Sequence, residues 1–311
     1  MKPRLLKYLC CPECKGEFNL TVSKKVGTEI EEGELVCSKN HTYPIKKFIP
    51  RFVNSDKYVA SYSFEWGLYG KSEQDPVIVK KIFDKRVGKF PKKLENKVVL
   101  DVGCGAGKFL NIASESGAEV IGFDLSFGVD VAYKRYGKKE NVHIVQADIY
   151  KPPFKSKSFD YVYCVGVLHS VPDDKKAFFS FSDLVKVGGK LSVWTYSSQN
   201  PIFVGSSKFW RFFSTKLPKR AIYVLSYLAI PLYYIKKCPI FYPLKVLIPT
   251  SEFHNFREMV LHTYNWYSPK YQHTMSYKEL YEWFSSMDFR IDFIGDPVTL
   301  SGVRESSGRK N

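Results

Sequence analysis

From residue 96 onward, short apolar runs alternate with amphipathic stretches. Val98-Val99-Leu100 with Val102 reads as a buried strand over 97–102. Further strands are predicted at 119–123, 142–146, 159–165 and 190–196. Apolar positions at helical spacing predict helices over 107–116, 128–136 and 173–186. Such alternation implies a parallel sheet with helices on both faces and ligands at the carboxyl ends of the strands. A helix over 277–287, with Leu280, Trp283 and Phe284 inward, and strands near 289–294 and 298–303 follow. The tail, 304–311, is expected to be disordered. Upstream, Val77, Val79, Ile82 and Phe83 oppose Lys80, Lys81, Lys85 and Arg86 in a short helix over 77–87, which Pro91 ends. Before it, Tyr58, Tyr62, Phe64, Trp66 and Tyr69 mark an aromatic-faced helix or loop.

The first strand runs into Gly103, Gly105 and Gly107 and then a helix, an order that lets backbone N–H groups face a ligand closely. Asp101 stands two residues before the first glycine. A carboxylate there repels a pyrophosphate and suits an ammonium or sulfonium cation. A second acidic residue, Asp124, ends the next strand. The residues alone leave open a cofactor turn or a packing turn of another α/β unit. The stretch resembles motif I of class I S-adenosylmethionine methyltransferases. That resemblance implies that the 103–107 turn meets the amino-acid end of the cofactor, that Asp124 accepts its ribose hydroxyls beside Leu125, and that Asp148 and Ile149 hold and stack on the adenine. The run Val165-Gly166-Val167-Leu168-His169-Ser170-Val171-Pro172-Asp173, with Val187-Gly188-Gly189-Lys190-Leu191, is similar to the type-11 pattern of those enzymes. Asp160 reads as a turn or strand-start residue.

Seven cysteines in 311 residues, four of them near a histidine, point to a reducing compartment and a metal site. Cys11-Pro12-Glu13-Cys14 forms a knuckle, and Cys37 with His41 supplies a second pair, enough to close a tetrahedral zinc site. Cys10 is out of register. A redox Cys-x-x-Cys is disfavoured by Pro12 and by the second pair. The flanks, Leu5-Leu6-x-x-Leu9 before and Tyr43-Pro44-Ile45 after, resemble the zinc-ribbon-like activator of tRNA methyltransferases. The ligand spacing is also similar to the zinc module of rRNA guanine-N1 methyltransferases. Zinc would then supply folding free energy to a module whose own core is small.

The fold class that results is α/β: a seven-stranded Rossmann-like methyltransferase sheet, a small zinc-ribbon-like domain at 1–53, linker and lid segments at 54–95, and a methyltransferase domain at 96–311 with a helical insert at 201–250. The insert holds eight Lys or Arg, no Asp or Glu, and eleven aromatics. Its run AIYVLSYLAIPLYYI is fifteen residues, short of the roughly 20 that span a bilayer. It reads as a substrate-covering cap, as an interfacial segment facing anionic lipid, or as a nucleic-acid surface. Net charge of +16 favours acidic partners without choosing among them. No apolar run at the start is long enough for a signal peptide, so cytoplasmic placement is expected, with membrane association if the insert meets lipid. Residues 264–273 read as a loop dense in hydrogen-bonding groups, near His254, Arg257 and His262. His169, Tyr264 and His273 are the candidate catalytic residues. The leading reading is methylation of a small-molecule, glycan or lipid-linked acceptor. The others are RNA methylation and a non-catalytic SAM-binding adaptor.

Overall fold

A computed structural model of the chain describes residues 1–54, 57–69, 75–199, 201–251 and 255–306. His254 and the tail from 307, both named above, lie outside the described residues, as does the side chain of Tyr69. The first four strands are β1 (Phe18–Val26), β2 (Glu29–Cys37), β3 (Thr42–Lys46) and β4 (Ile49–Pro50), an antiparallel sheet in that order. Next come α1 (Ala60–Tyr69) and α2 (Pro76–Val87). The α/β core follows as β5 (Val98–Val102), α3 (Leu110–Glu115), β6 (Glu119–Asp124), α4 (Gly128–Tyr136), β7 (Val142–Gln146), β8 (Phe159–Val165), α5 (Asp174–Ser182) and β9 (Val185–Thr195). The insert is α6 (Pro201–Ser214), α7 (Lys219–Leu225), α8 (Ala229–Ile235) and α9 (Leu244–Leu247). The chain closes with α10 (Phe256–Tyr267), α11 (Tyr277–Ser286), β10 (Phe289–Gly295) and β11 (Val298–Arg304).

The large sheet has seven strands in the order β10-β11-β9-β8-β5-β6-β7. The five inner and β7-side strands are parallel; β11 is antiparallel to both β9 and β10. Strand alternation divides β5 between two cores. Val98, Leu100 and Val102 join one with Phe178 of α5 and Phe284 of α11, and Val99 joins the other with Phe83 of α2 and Leu110 of α3. Local chemistry sets the ends of the flanking helices. Asp75 accepts from Val77 N at 2.8 Å ahead of Pro76, and Gly88 closes α2 in the left-handed region. Ser276 and Glu279 form a capping box at α11.

The small sheet is packed on the large one. Leu5, Leu9, Ile30, Leu35 and Ile45 belong to the same core as Leu100 and Phe123. Arg51 bridges to Gln146 at the end of edge strand β7, and Phe52 N donates to Gln146 O at 2.8 Å. Arg51 also holds Asp130 of α4 with two guanidinium N–H groups, at 2.6 and 3.3 Å, and donates to Gln146 Oε1 at 2.7 Å.

Several boundaries differ from the sequence reading. The helix expected over 107–116 begins only at Leu110, because the turn extends through Phe109. The helix expected over 173–186 ends at Ser182, and Val187-Gly188-Gly189 lies inside β9, not before it. Tyr264, Asn265, Trp266 and Tyr267 are the last turn of α10 and not loop; Met259, Val260, Thr263 and Tyr264 are buried at helical spacing. The fifteen-residue apolar run is divided by a short 3-10 turn, Ser226–Leu228, between α7 and α8. Among the described residues no helix is long and apolar enough to cross a membrane.

Candidate functional site

The glycine turn is tied to β6. Gly103 N and Cys104 N both donate to Phe123 O, at 2.8 and 3.0 Å, and Gly105 N donates to Asp124 Oδ2 at 2.9 Å. Asp124 Oδ1 accepts from Ser126 N at 2.7 Å. Gly103 has a φ of 72°, and a Cβ there would meet Val167 at 2.4 Å, so no side chain fits between the turn and the β8 loop. Asp101 is 3% exposed, and its Oδ2 has no hydrogen-bond partner. Burial pushes its carboxyl up to about 8; the adjacent Tyr163 hydroxyl opposes that and the Asp124 charge adds to it. Burial likewise raises Asp124, against the pull of the Ser126 and Gly105 amides. An orphaned buried carboxyl group at the glycine turn, with a second carboxyl at the end of β6, fits a ligand with a cationic end and a hydroxylated one.

A cavity of about 80 Å³ lies against this turn. Tyr58, Tyr62 and Trp66 cover it from the lid segment; Gly103, Asp124, Leu125, Ala147 and Ile149 form its floor; Gly166, Val167 and Ser170 close the far side. Tyr62 and Ser170 hydroxyls are 2.5 Å apart, so α1 is latched to the loop after β8. The aromatic spacing in SYSFEWGLY pointed to a helix or loop, and the structure makes it α1, lying over the turn. Asp148 stands between two lining residues, with Oδ1 accepting from Tyr150 N at 3.1 Å.

His169 is buried beside Ser170, its ring stacked on Tyr196 at 3.7 Å and edge-on to Trp194 at 6.1 Å. Burial, then the charges of Arg86, Arg211 and His273, push it down to about 3, so the imidazole is neutral at physiological pH. Its Nδ1 has no partner. His273 is brought beside it: the His273 N–H donates to His169 O at 2.7 Å and Nε2 donates to Val171 O at 2.8 Å. Tyr264 is fully buried elsewhere, on the seam between α1 and α10, where it packs on Phe64 and reaches Ser61 O at 3.4 Å. The structure therefore joins His169 and His273 and places Tyr264 in a packing position. A second cavity, about 320 Å³, lies beneath α6 between Tyr196, Phe203, Ser207, Lys208, Trp266 and Gln272. Tyr196 separates it from His169. Sequence reasoning missed it because its walls come from three separate segments.

In the small sheet, the donor atoms of Cys11, Cys14, Cys37 and His41 all lie within 4.8 Å of one another. Cys14 Sγ is 3.5 Å from Cys37 Sγ, and His41 Nδ1 is 3.5 Å from Cys11 Sγ and 3.4 Å from Cys37 Sγ. A tetrahedron with Zn–S about 2.3 Å and Zn–N about 2.0 Å has edges of roughly 3.5–3.8 Å. The four ligands fit a closed, structural zinc.

A family model described as a methyltransferase domain matches residues 100–193, and one described as Trm112p-like protein matches residues 2–47. A ubiquinone biosynthesis O-methyltransferase of Coxiella burnetii is 35% identical over 100 residues, 32% of this chain and 43% of that protein. A demethylmenaquinone methyltransferase of Staphylococcus aureus is 32% identical over 142 residues, 44% of this chain and 58% of that protein. The chain thus spans about half the length of the curated relatives it matches. Among solved structures it is similar to a complex between the Haloferax volcanii Trm112 methyltransferase activator and a methyltransferase, at TM-score 0.46 and 13% identity over 82% of this chain and all of that one. An S-adenosylmethionine-dependent methyltransferase of Mesorhizobium loti is 30% identical at TM-score 0.32, over 37% of this chain and 51% of that one. Residues 100–193 are a methyltransferase domain of the S-adenosylmethionine-dependent kind, carried behind a Trm112p-like zinc-binding module.

Proposed function

We propose that the chain methylates a small, apolar or lipid-linked acceptor that it draws from an anionic membrane surface through the cavity beneath α6. S-adenosylmethionine supplies an electrophilic methyl group on a sulfonium. Asp101 would hold its ammonium end, Asp124 its ribose, and Ile149 its base. Transfer of this kind is governed by positioning and by exclusion of water, tasks for the α1 lid and its Tyr62–Ser170 latch. Where the acceptor is a hydroxyl, a base must take its proton; the neutral His169, separated from the cavity beneath α6 by Tyr196, is the candidate, and His273 fixes the loop that carries its ring.

One observation carries the acceptor class. Most of the exposed large apolar side chains of the described residues lie in the insert, among them Ile202, Phe209, Phe212 (61% exposed), Phe213, Val224, Leu228 and Ile240 (78% exposed). The same fifty residues contain Lys and Arg and no acid. Lys216 lies 3.7 Å from the Phe212 ring centre and Lys237 4.3 Å from that of Tyr233, so cations edge the apolar face. Apolar surface rimmed by cations matches the headgroup region of an anionic bilayer. The relatives' names, one of ubiquinone biosynthesis and one of demethylmenaquinone, agree with an apolar acceptor. The test is flotation with phosphatidylglycerol or phosphatidylcholine vesicles, together with transfer from methyl-labelled cofactor into lipid and RNA extracts. Binding to anionic vesicles and label in the lipid extract are expected. Label in RNA with no vesicle binding would replace this reading.

A further inference from the structure

At Gly166 the wall between the cofactor cavity and the cavity beneath α6 is made of rings. Gly166 lines the cofactor side. A Cβ there would stand 3.4 Å from Cζ3 of Trp194 and 3.9 Å from Cε1 of His169, so both rings lie directly behind a residue that has no side chain. Tyr196 comes next. Its ring lies on His169 at 3.7 Å, with the planes 11° apart, and 5.6 Å from the Trp194 ring. Tyr196 also lines the larger cavity, where the Trp266 ring is 5.3 Å from it.

Tyr196 has a pinned backbone and a free ring. It follows Thr195, the last residue of β9, and its carbonyl accepts from Met275 N at 2.8 Å. Ser197 bridges to Met275 as well. The Tyr196 hydroxyl, by contrast, bonds to no described residue. Only ring contacts hold the side chain, and about 320 Å³ of space lies beside it. A change of rotamer into that space breaks no hydrogen bond. It leaves a slot the size of a phenol ring, with the face of His169 as its floor and Trp194 and Trp266 beside it. Two polar atoms on these bordering residues, Trp194 Nε1 and His169 Nδ1, are buried without partners. Such atoms are costly to leave unbonded, and a hydroxyl on an incoming ring would supply a partner.

We infer that Tyr196 is a gate and a place-holder: the methyl acceptor carries a planar, hydroxylated ring, which displaces the Tyr196 ring, stacks on His169 and so reaches the Gly166 wall of the cofactor cavity. The inference rests on the reading that the acceptor enters beneath α6, and it narrows that acceptor to an aromatic class.

The experiment titrates naphthol and its saturated, non-planar counterpart decalol, separately, into the S-adenosylhomocysteine-loaded protein by calorimetry, with Tyr196→Ala, Tyr196→Trp and Tyr196→Phe alongside. Naphthol is expected to bind the wild type, to bind Tyr196→Ala tenfold or more tighter because no ring has to be displaced, and to bind Tyr196→Trp tenfold or more weaker. Tyr196→Phe should match the wild type within threefold, since the hydroxyl is unbonded. Decalol should bind each protein at least tenfold more weakly than naphthol. S-adenosylhomocysteine affinity should stay within twofold throughout. A merely structural role would weaken binding in the Ala and Trp variants alike; if Tyr196→Trp does not fold, the gain in Tyr196→Ala decides alone. Naphthol binding that ignores both substitutions, or that is absent from the wild type and Tyr196→Ala alike, would overturn the gate. Decalol binding as tightly as naphthol would overturn the ring. Loss of S-adenosylhomocysteine affinity in the variants would assign Tyr196 to the cofactor site and overturn the inference. In these cases cofactor binding by the wild type and vesicle binding, and with them the reading above, still stand. Failure of the wild type to bind S-adenosylhomocysteine would bring both down.

Discussion

The indole of Trp66 covers the glycine turn so closely that a Cβ on Gly105 would stand 2.7 Å from its Cζ2. The lid helix therefore rests on the turn itself. The cavity it leaves, about 80 Å³, is well below the roughly 300 Å³ and more of a small-molecule site, so α1 must move outward when a nucleoside enters. Adding S-adenosylhomocysteine should change the tryptophan emission of the wild type, and Trp66→Phe should remove most of that change. Gly105→Ala should weaken binding tenfold or more. Emission that responds equally in Trp66→Phe would rule out the lid movement.

Asp101 sets a pH dependence with a definite sign. Its carboxyl holds a proton up to about pH 8 in the folded protein but only to about 3.8 when unfolded. Between those values the folded state binds more protons, so this group's contribution to stability falls as pH rises and is at its worst above pH 8. Asp101→Asn should therefore raise the melting temperature of the ligand-free protein, by several degrees at pH 8 and by little near pH 4. The same variant should lose at least tenfold in affinity for S-adenosylmethionine. A melting temperature unchanged at both pH values would show that the carboxyl is not confined.

Arg51 ties the module to the domain through Asp130 and Gln146. Its side chain is 12% exposed, and its hydrogen bonds are charge-assisted and forked, so Arg51→Ala should cost about 1–3 kcal/mol in denaturant unfolding. A double-mutant cycle with Asp130→Ala should show coupling between the two positions.

The metal centre predicts one zinc per chain by elemental analysis. Cys37→Ser should lower that content and also the stability of the whole protein. Leu35, two residues away on β2, lies in the same core as the large sheet, so a single melting transition should shift. Two separate transitions would mean that the module folds alone.

Much of the site was legible because it is local. The spacing of Asp101, the three glycines and Asp124 encodes strand, turn and strand within one short stretch, and Cys11, Cys14, Cys37 and His41 announce their geometry by spacing alone. What was not legible depends on distant contacts. The last turn of α10 reads as loop because Tyr264, Asn265, Trp266 and Tyr267 look polar, although their neighbours Met259 and Val260 keep the helical period. Gly188 and Gly189 look like a turn, yet they lie inside β9 as a bulge between Val185, paired with Phe159, and Lys190, paired with Tyr161. Arg86 read as the solvent face of a helix; only the packing of α2 on Trp194 turns it inward.

The pairing of Arg51 and Phe52 with Gln146 has a consequence for the protein's lifetime. β7 is an edge of the large sheet, and the module sits over its end. An uncovered edge strand is a template for pairing with other chains. Zinc starvation would then do more than slow an enzyme: by loosening the small sheet it would expose a sticky strand, and the chain would be removed from solution by aggregation.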